Sequence, residues 1–395
     1  MATVTICGGG NAAHVLIPLA HAAGWEVNVY APYGDEAERL RQGMARNGGL
    51  RIRFEDGREI VGRAHRTSGD PAQVIPGAGL ILLALPAFAH GPTLEAIAPH
   101  LDDDALIGAL PARGGFDYQA EAILRRAGKT ARFFGLQTLP WACRTSRYGE
   151  EVTVLGTKAV VDLAAFPASE SRAVAELLTG LLQLPFHAIS SFLALTLANT
   201  GQIIHPGIMY GLCYGREEAT YSRDEIPHFY QGVDGFTAEK LQAMSDDVQR
   251  VAAVLATAVA EFEPADVLPL YDWVCRAYAG DIADESTLAS AFVTNQAYAG
   301  LRVPARPTED GRYRVDFTAR YLAEDVPYGL VVVRGIARLA GVAIPALDSV
   351  IKWAEERLNH RYLDGDSYAG SRAPQVFGMN KVAQLAESHR AQLER

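Results

Sequence analysis

Hydrophobic and polar positions change their period along the chain: strand-length apolar runs alternate with helical stretches at first, and beyond Ser191 helical patterns dominate. Thr3 to Cys7 predicts a short buried strand, three glycines follow, and Asn11 to Ala23 continues as an apolar helix. Glu26 to Tyr30 alternates as a second strand, closed by Ala31-Pro-Tyr-Gly34. Leu50 to Gly62 predicts a strand pair turning at Glu55-Asp56-Gly57, because Asp-Gly supplies the backbone a tight reversal requires. Leu80 to Leu85, Ala105 to Leu110 and Arg132 to Leu139 lack polar alternation, as strands buried on both faces do, and each stops at a proline, Pro86, Pro111 or Pro140. Helical patterns at Thr93 to Leu101 and Phe116 to Ala127 separate them. Glu151 to Thr157 and the helical Ser169 to Leu184 complete this half.

Such alternation predicts a doubly wound, mostly parallel sheet, in which ligands lie beyond the carboxyl ends of the strands. After Ser191, Phe192 to Ile204, Ala238 to Phe262, Asp266 to Ala279 and Tyr328 to Ala340 read as helices bordered by Gly and Pro. The predicted fold class is therefore an α/β N-terminal domain, residues 1–188, followed by an all-α C-terminal domain, residues 189–395.

Strand, glycine turn and helix in that order form the context of a dinucleotide-binding turn. Gly8 suits the tight turn, Gly10 a close backbone approach to a pyrophosphate, and Ala13 close helix–strand packing. Gly9, Asn11 and Ala12 complete the loop, where a helix N-terminus offers free N–H groups to phosphates. Asp35 and Glu36 follow the second strand with no arginine before Arg39, which favours NADH over NADPH, because a 2′-phosphate would be repelled. The same two carboxylates also suit a helix N-terminus. Pro86 and the loops after the Leu-Pro strand ends, with Phe88, Arg113, Gly114, Gln137, Thr138, Trp141 and Cys143, are candidates for lining the cofactor crevice, or serve only as loop punctuation.

The bulk numbers narrow the partners. With 36 basic against 46 acidic residues the net charge is −10, which argues against nucleic-acid and anionic-membrane surfaces but not against small acidic substrates held by local arginines. Four scattered cysteines without CxxC spacing suggest reduced thiols in a cytoplasmic protein and no metal site. No apolar run reaches membrane-spanning length, and nothing in the sequence reports on oligomeric state.

Two stretches of the helical half carry polar residues in apolar surroundings. In Asn199-Thr-Gly-Gln-Ile-Ile-His205-Pro-Gly, the following proline places His205 at a helix end, facing a cleft or satisfied within the core. In Ala319-Arg320-Tyr-Leu-Ala-Glu-Asp325-Val-Pro-Tyr-Gly329, Asp325 suits a helix cap and Arg320 a surface ion pair as well as they suit a site.

Together GGGNAAH, NTGQIIHPG and RYLAEDVPYGL resemble the octopine dehydrogenase branch of the opine dehydrogenases over nearly the whole chain. That resemblance implies a Rossmann domain followed by a helical domain, and an enzyme that condenses an amino acid with an α-keto acid such as pyruvate and reduces the imine with NAD(P)H. It makes His205 the catalytic histidine, Asp325 the carboxylate that orients it, Arg320 the grip on a substrate carboxylate and Thr138 a substrate contact. A partner carboxylate fixes the imidazole tautomer and a guanidinium fork aligns a carboxylate. Six positions before Cys143, where the octopine-forming relative is expected to be acidic, stands Gln137, which points to a donor other than arginine, small or neutral. Arg113 stands where an amide is expected and is a candidate for a substrate carboxylate, a cofactor phosphate or the surface. The alternatives are a 2- or 3-hydroxy-acid dehydrogenase and a non-catalytic dinucleotide sensor.

Overall fold

A computed structural model of the chain describes residues 2–363; Met1 and residues 364–395, the end of the expected C-terminal domain, lie outside the described residues. The chain divides into two compact units: Met1–Ala112 with Phe116–Leu195, and Arg113–Gly115 with the chain from Thr196 onward.

In the first unit β1 (Thr3–Cys7) leads through α1 (Asn11–Ala22) to β2 (Glu26–Tyr30), and α2 (Glu36–Asn47) leads to β3 (Leu50–Phe54), β4 (Glu59–Gly62) and β5 (Arg66–Ser68). There follow β6 (Leu80–Leu83), α3 (Ala87–Ile97), β7 (Leu106–Ala109), α4 (Phe116–Arg126), β8 (Phe133–Leu136), β9 (Trp141–Arg147), β10 (Glu151–Thr157), β11 (Val161–Phe166), α5 (Ser171–Leu182) and β12 (Phe186–Ala188). Eight strands form one sheet in the order β12-β11-β8-β7-β6-β1-β2-β5. It is mostly parallel, with β11 antiparallel to β8. From β1 the chain winds one way to β2 and β5 and the other way to β6, β7 and β8. The glycine turn after β1 therefore stands at the topological switch point, where such sheets bind ligands.

The Asp-Gly hairpin forms as expected, but β3 and β4 join β9 and β10 in a separate four-stranded sheet. Four strands of this unit have no counterpart in the sequence pattern. β5 is three polar residues at a sheet edge, β12 is three residues long, β9 carries four polar residues among its seven, and Asp162 interrupts the apolar run of β11. The core packs α1 and α5 side chains, Val15, Leu16, Leu19, Leu178 and Leu181, against β1, β6 and the strands of the smaller sheet.

α6 (Phe192–Ala198) leads from the first unit into the second, which holds α7 (Gly201–Cys213), α8 (Gly235–Ala258), α9 (Leu270–Ala277), α10 (Leu288–Val293), α11 (Arg320–Ala323), α12 (Val331–Leu339) and α13 (Pro345–Leu358). Three two- and three-residue strands, β13 (Thr220–Tyr221), β14 (Ala305–Pro307) and β15 (Tyr313–Val315), form a small antiparallel sheet among the helices. α8 buries Leu241, Met244, Val248, Val251 and Leu255, spaced three or four residues apart, and lies close on α7. Glycines permit that approach: a Cβ at Gly207 would stand 2.5 Å from Leu241, and one at Gly211 would collide with Thr237.

Two proline positions depart from expectation. Pro206 does not end a helix, since α7 runs through it to Cys213. A proline inside a helix forfeits its bond to the carbonyl four residues back, a cost of about 3 kcal/mol that packing can override. Tyr328 to Ala340 starts earlier than expected, as a π turn at Val326–Leu330 that runs into α12. Pro327 has no N–H to continue an α ladder, and the Leu330 N–H reaches back five residues to the Asp325 carbonyl at 3.0 Å.

Candidate active site

Gly8 turns off β1 with φ +122°, and a Cβ there would lie 2.7 Å from the Ala84 carbonyl oxygen, so only glycine fits. Gly10 precedes α1 with open space where a Cβ would stand and no side chain capping the helix. The first-turn N–H groups of Asn11, Ala12 and Ala13 have no acceptor within the helix, which is what an approaching diphosphate requires. Ala13 is fully buried. The Asn11 side chain is turned to β9, where its Oδ1 accepts from the Thr145 N–H at 3.0 Å and hydroxyl at 2.8 Å.

The carboxylate beside this loop belongs to Glu36, not Asp35. A Cβ on Gly9 would meet Glu36 Oε2 at 2.7 Å and the Tyr148 hydroxyl at 2.6 Å. Asp35 occupies the N-cap position of α2 without capping it, and its exposed side chain lies 3.6 Å from Arg39. Burial raises the Glu36 carboxyl above its ordinary value, against the pull of Arg39, and pushes the Tyr148 phenol up to about 12. Arg39 lies over the Tyr148 ring at 4.2 Å. Pro86 occupies the N-cap position of α3 without capping it and is half-buried.

Gln137 and Thr138 follow β8. Gln137 is buried, its N–H on the Asp162 carbonyl at 2.9 Å, and Thr138 is half-buried. Cys143 sits among the core side chains of the first unit, and burial pushes its thiol up to about 11. Trp141 is likewise a core residue, whereas Phe88 is exposed.

The second unit brings together residues far apart in sequence. His205 Nδ1 lies 2.8 Å from Asp325 Oδ2, and its Nε2 lies 3.0 Å from the Tyr230 hydroxyl. The imidazole stacks on Tyr321 at 4.4 Å and 18°, and Tyr230 stacks on Tyr298 at 3.9 Å. His205 is thus not at a helix end: it lies in the second turn of α7 with its ring aimed at the start of the π turn. With the Nδ1 proton directed to Asp325, Nε2 is the nitrogen free to exchange a proton, and it accepts from Tyr230 meanwhile. Burial drives the Tyr230 phenol well above its ordinary value, so it stays a donor at neutral pH.

Asp325 is buried and has a second partner, since Arg113 Nη1 stands 2.8 Å from Oδ1. Arg320 leaves most of its side chain exposed while Nε holds the buried Glu324 at 2.5 Å. Tyr230 and Tyr148 carried no signal in the sequence, since aromatic residues flanking apolar runs read as ordinary core, and Asn199 and Tyr321 lay in the two polar stretches without a role of their own; only packing shows what they touch.

Residues 188–358 match the family model described as NAD/NADP octopine/nopaline dehydrogenase, alpha-helical domain. Octopine dehydrogenase of Mizuhopecten yessoensis is 37% identical over 392 residues, covering 96% of this chain and 97% of that one. This chain belongs to the octopine dehydrogenase branch of the opine dehydrogenases. Tauropine dehydrogenase of Arabella iricolor is 32% identical over 97% of this chain and 99% of its own length. A solved structure of octopine dehydrogenase in complex with NADH and agmatine superposes with TM-score 0.86 at 34% identity, covering 98% of both chains. The fold class is that of this family, a Rossmann unit followed by a mainly helical one. Among the described residues, no helix is long and apolar enough to cross a membrane.

Proposed function

We propose that this chain is an opine dehydrogenase that condenses the amino group of an amino acid with a pyruvate-like α-keto acid, releasing water, and reduces the imine to a secondary amine with NADH. The observation that carries the reading is the 2.8 Å bond between His205 and Asp325, in a chain 37% identical to an octopine dehydrogenase. The nucleotide domain is assigned to residues 1–188 and the substrate domain to residues 189–395.

Gly8, Gly9, Gly10, Asn11, Ala12 and Ala13 would hold the dinucleotide diphosphate, and the Glu36 carboxylate beside Gly9 favours NADH by repelling a 2′-phosphate. Bound there, the cofactor supplies the hydride. His205 donates a proton from Nε2 as negative charge develops on the reacting oxygen or nitrogen, and Asp325 stabilises the imidazolium before transfer. Arg320 offers its exposed guanidinium to a substrate carboxylate, with Glu324 fixing its base. Gln137, a neutral amide, offers no charge to a cationic donor, so a small or neutral amino acid is the expected partner. Four free cysteines, three of them buried, suit a reducing cytoplasm.

The test is NADH oxidation with pyruvate alone, then with each amino acid added, followed by the mass of the product. An amine-dependent rate and a product joining both carbon skeletons support the reading. Oxidation indifferent to the amine would instead indicate hydroxy-acid formation.

A further inference from the structure

Arg113 follows β7 closely in sequence but groups with the helical unit, where its side chain is 11% exposed. The Gly114 N–H holds this excursion by bonding the Tyr328 carbonyl at 2.9 Å, within the π turn. The guanidinium makes one directed hydrogen bond, from Nη1 to Asn199 Oδ1 at 2.9 Å. Its 2.8 Å approach to Asp325 Oδ1 is a contact of charges, because that oxygen has no partner in hydrogen-bond geometry among the described residues. Space for the group is provided by Gly201, where a Cβ would stand 3.0 Å from Nη1. Asp325 therefore lies between two partners, one oxygen toward His205 and the other toward Arg113.

We propose that Arg113 is a positioning residue for proton transfer: it anchors Asp325 and withdraws part of its charge from His205, making the imidazolium a readier proton donor. The charged and titratable groups around the ring are Asp325, Glu324, Arg320 and Tyr321 from α11 and its end, Tyr230 from the segment before α8, and Arg113. Glu324 is already engaged by Arg320, with Arg113 Nε 3.9 Å away, so among the described residues Arg113 is the cation in direct contact with Asp325. A charge contact asks for a cation at that place and not for a guanidinium fork, so lysine should replace it in part.

This inference rests on the proposed reaction, so its test includes a measurement that needs no turnover. In the full-length protein, Arg113→Gln, Arg113→Lys and Gly201→Ala are compared with wild type by the pH profile of kcat/KM and by the ring 15N signals of His205 across pH. Arg113→Gln should move the alkaline limb and the ring titration upward, the direction expected when a cation beside Asp325 is removed. Arg113→Lys should restore most of the wild-type position. Gly201→Ala, which crowds the guanidinium while adding a better helix former, should move both in the same direction by less. Unchanged ring signals in the folded variants overturn the proposal, as does Arg113→Lys behaving like Arg113→Gln. A displaced ring titration in a protein without amine-dependent turnover would sustain it and reject the proposed reaction, and if Arg113→Gln does not fold, Gly201→Ala decides.

Discussion

His205 Nδ1 and Asp325 Oδ2 meet at 2.8 Å across 120 residues of sequence. The pairing fixes which imidazole nitrogen is free. His205→Ala should lower kcat by about 10²–10⁴-fold, the usual contribution of a positioned acid or base, while NADH binding stays within about twofold. Asp325→Asn should lower kcat in the same range with little change in NADH affinity. Stopped-flow turnover and NADH fluorescence titration separate the two effects, and near wild-type turnover in His205→Ala would remove it from the chemistry.

The Tyr230 hydroxyl, 3.0 Å from His205 Nε2, orients the ring between turnovers. Tyr230→Phe keeps the stack on Tyr298 and loses the hydroxyl's bond to His205, so stability should fall by about 1 kcal/mol. Turnover should drop by about tenfold as the ring samples other orientations. Urea melts and steady-state kinetics check both, and an unchanged kcat would make the hydroxyl a packing group alone.

Gly8 and Gly10 should respond differently to alanine. At Gly8 the positive φ and the Ala84 carbonyl both oppose a side chain, and Gly8→Ala should cost about 1–3 kcal/mol from the backbone conformation alone. At Gly10 nothing lies near the added carbon, so Gly10→Ala should keep its melting temperature and weaken NADH binding at least tenfold by obstructing the approach of the diphosphate. Equal stability losses in the two variants would contradict this division.

Glu36, not Asp35, should govern the choice of dinucleotide. Glu36→Gln should lower the NADPH KM by about tenfold, because about 1.4 kcal/mol of relieved repulsion corresponds to that factor. Asp35→Asn should change the NADH to NADPH ratio little, since its carboxylate is exposed and held toward Arg39.

His14 ties the glycine turn to the β9–β10 hairpin. Its Nδ1 lies 2.9 Å from the Gly10 carbonyl and its Nε2 accepts the Gly149 N–H at 2.9 Å, an arrangement met by a neutral ring protonated at Nδ1. Burial holds this imidazole below its ordinary value, partly offset by the bond to Gly10. The unfolded chain then takes up the proton first, so this contribution to stability is complete above about pH 6.5 and declines as pH falls from there through the lower folded value. Urea melts between pH 8 and 5 should show the decline, and His14→Gln should flatten it.

Much of this molecule is local and was legible in sequence. Period and glycine placement determined β1, the turn after it, α1, the Asp-Gly hairpin and the buried strands β6, β7 and β8, because each depends on neighbours within a few residues. The motifs named His205, Asp325 and Arg320 as candidates. What the sequence could not decide depends on contacts between distant segments: that Pro206 sits inside α7, that Glu36 in place of Asp35 reaches Gly9, and that β3 and β4 join β9 and β10. Arg113 is the clearest instance, since in sequence it is a loop residue and in the fold it faces Asp325. A buried guanidinium must find a countercharge wherever packing leaves one, and no spacing along the chain records where that is.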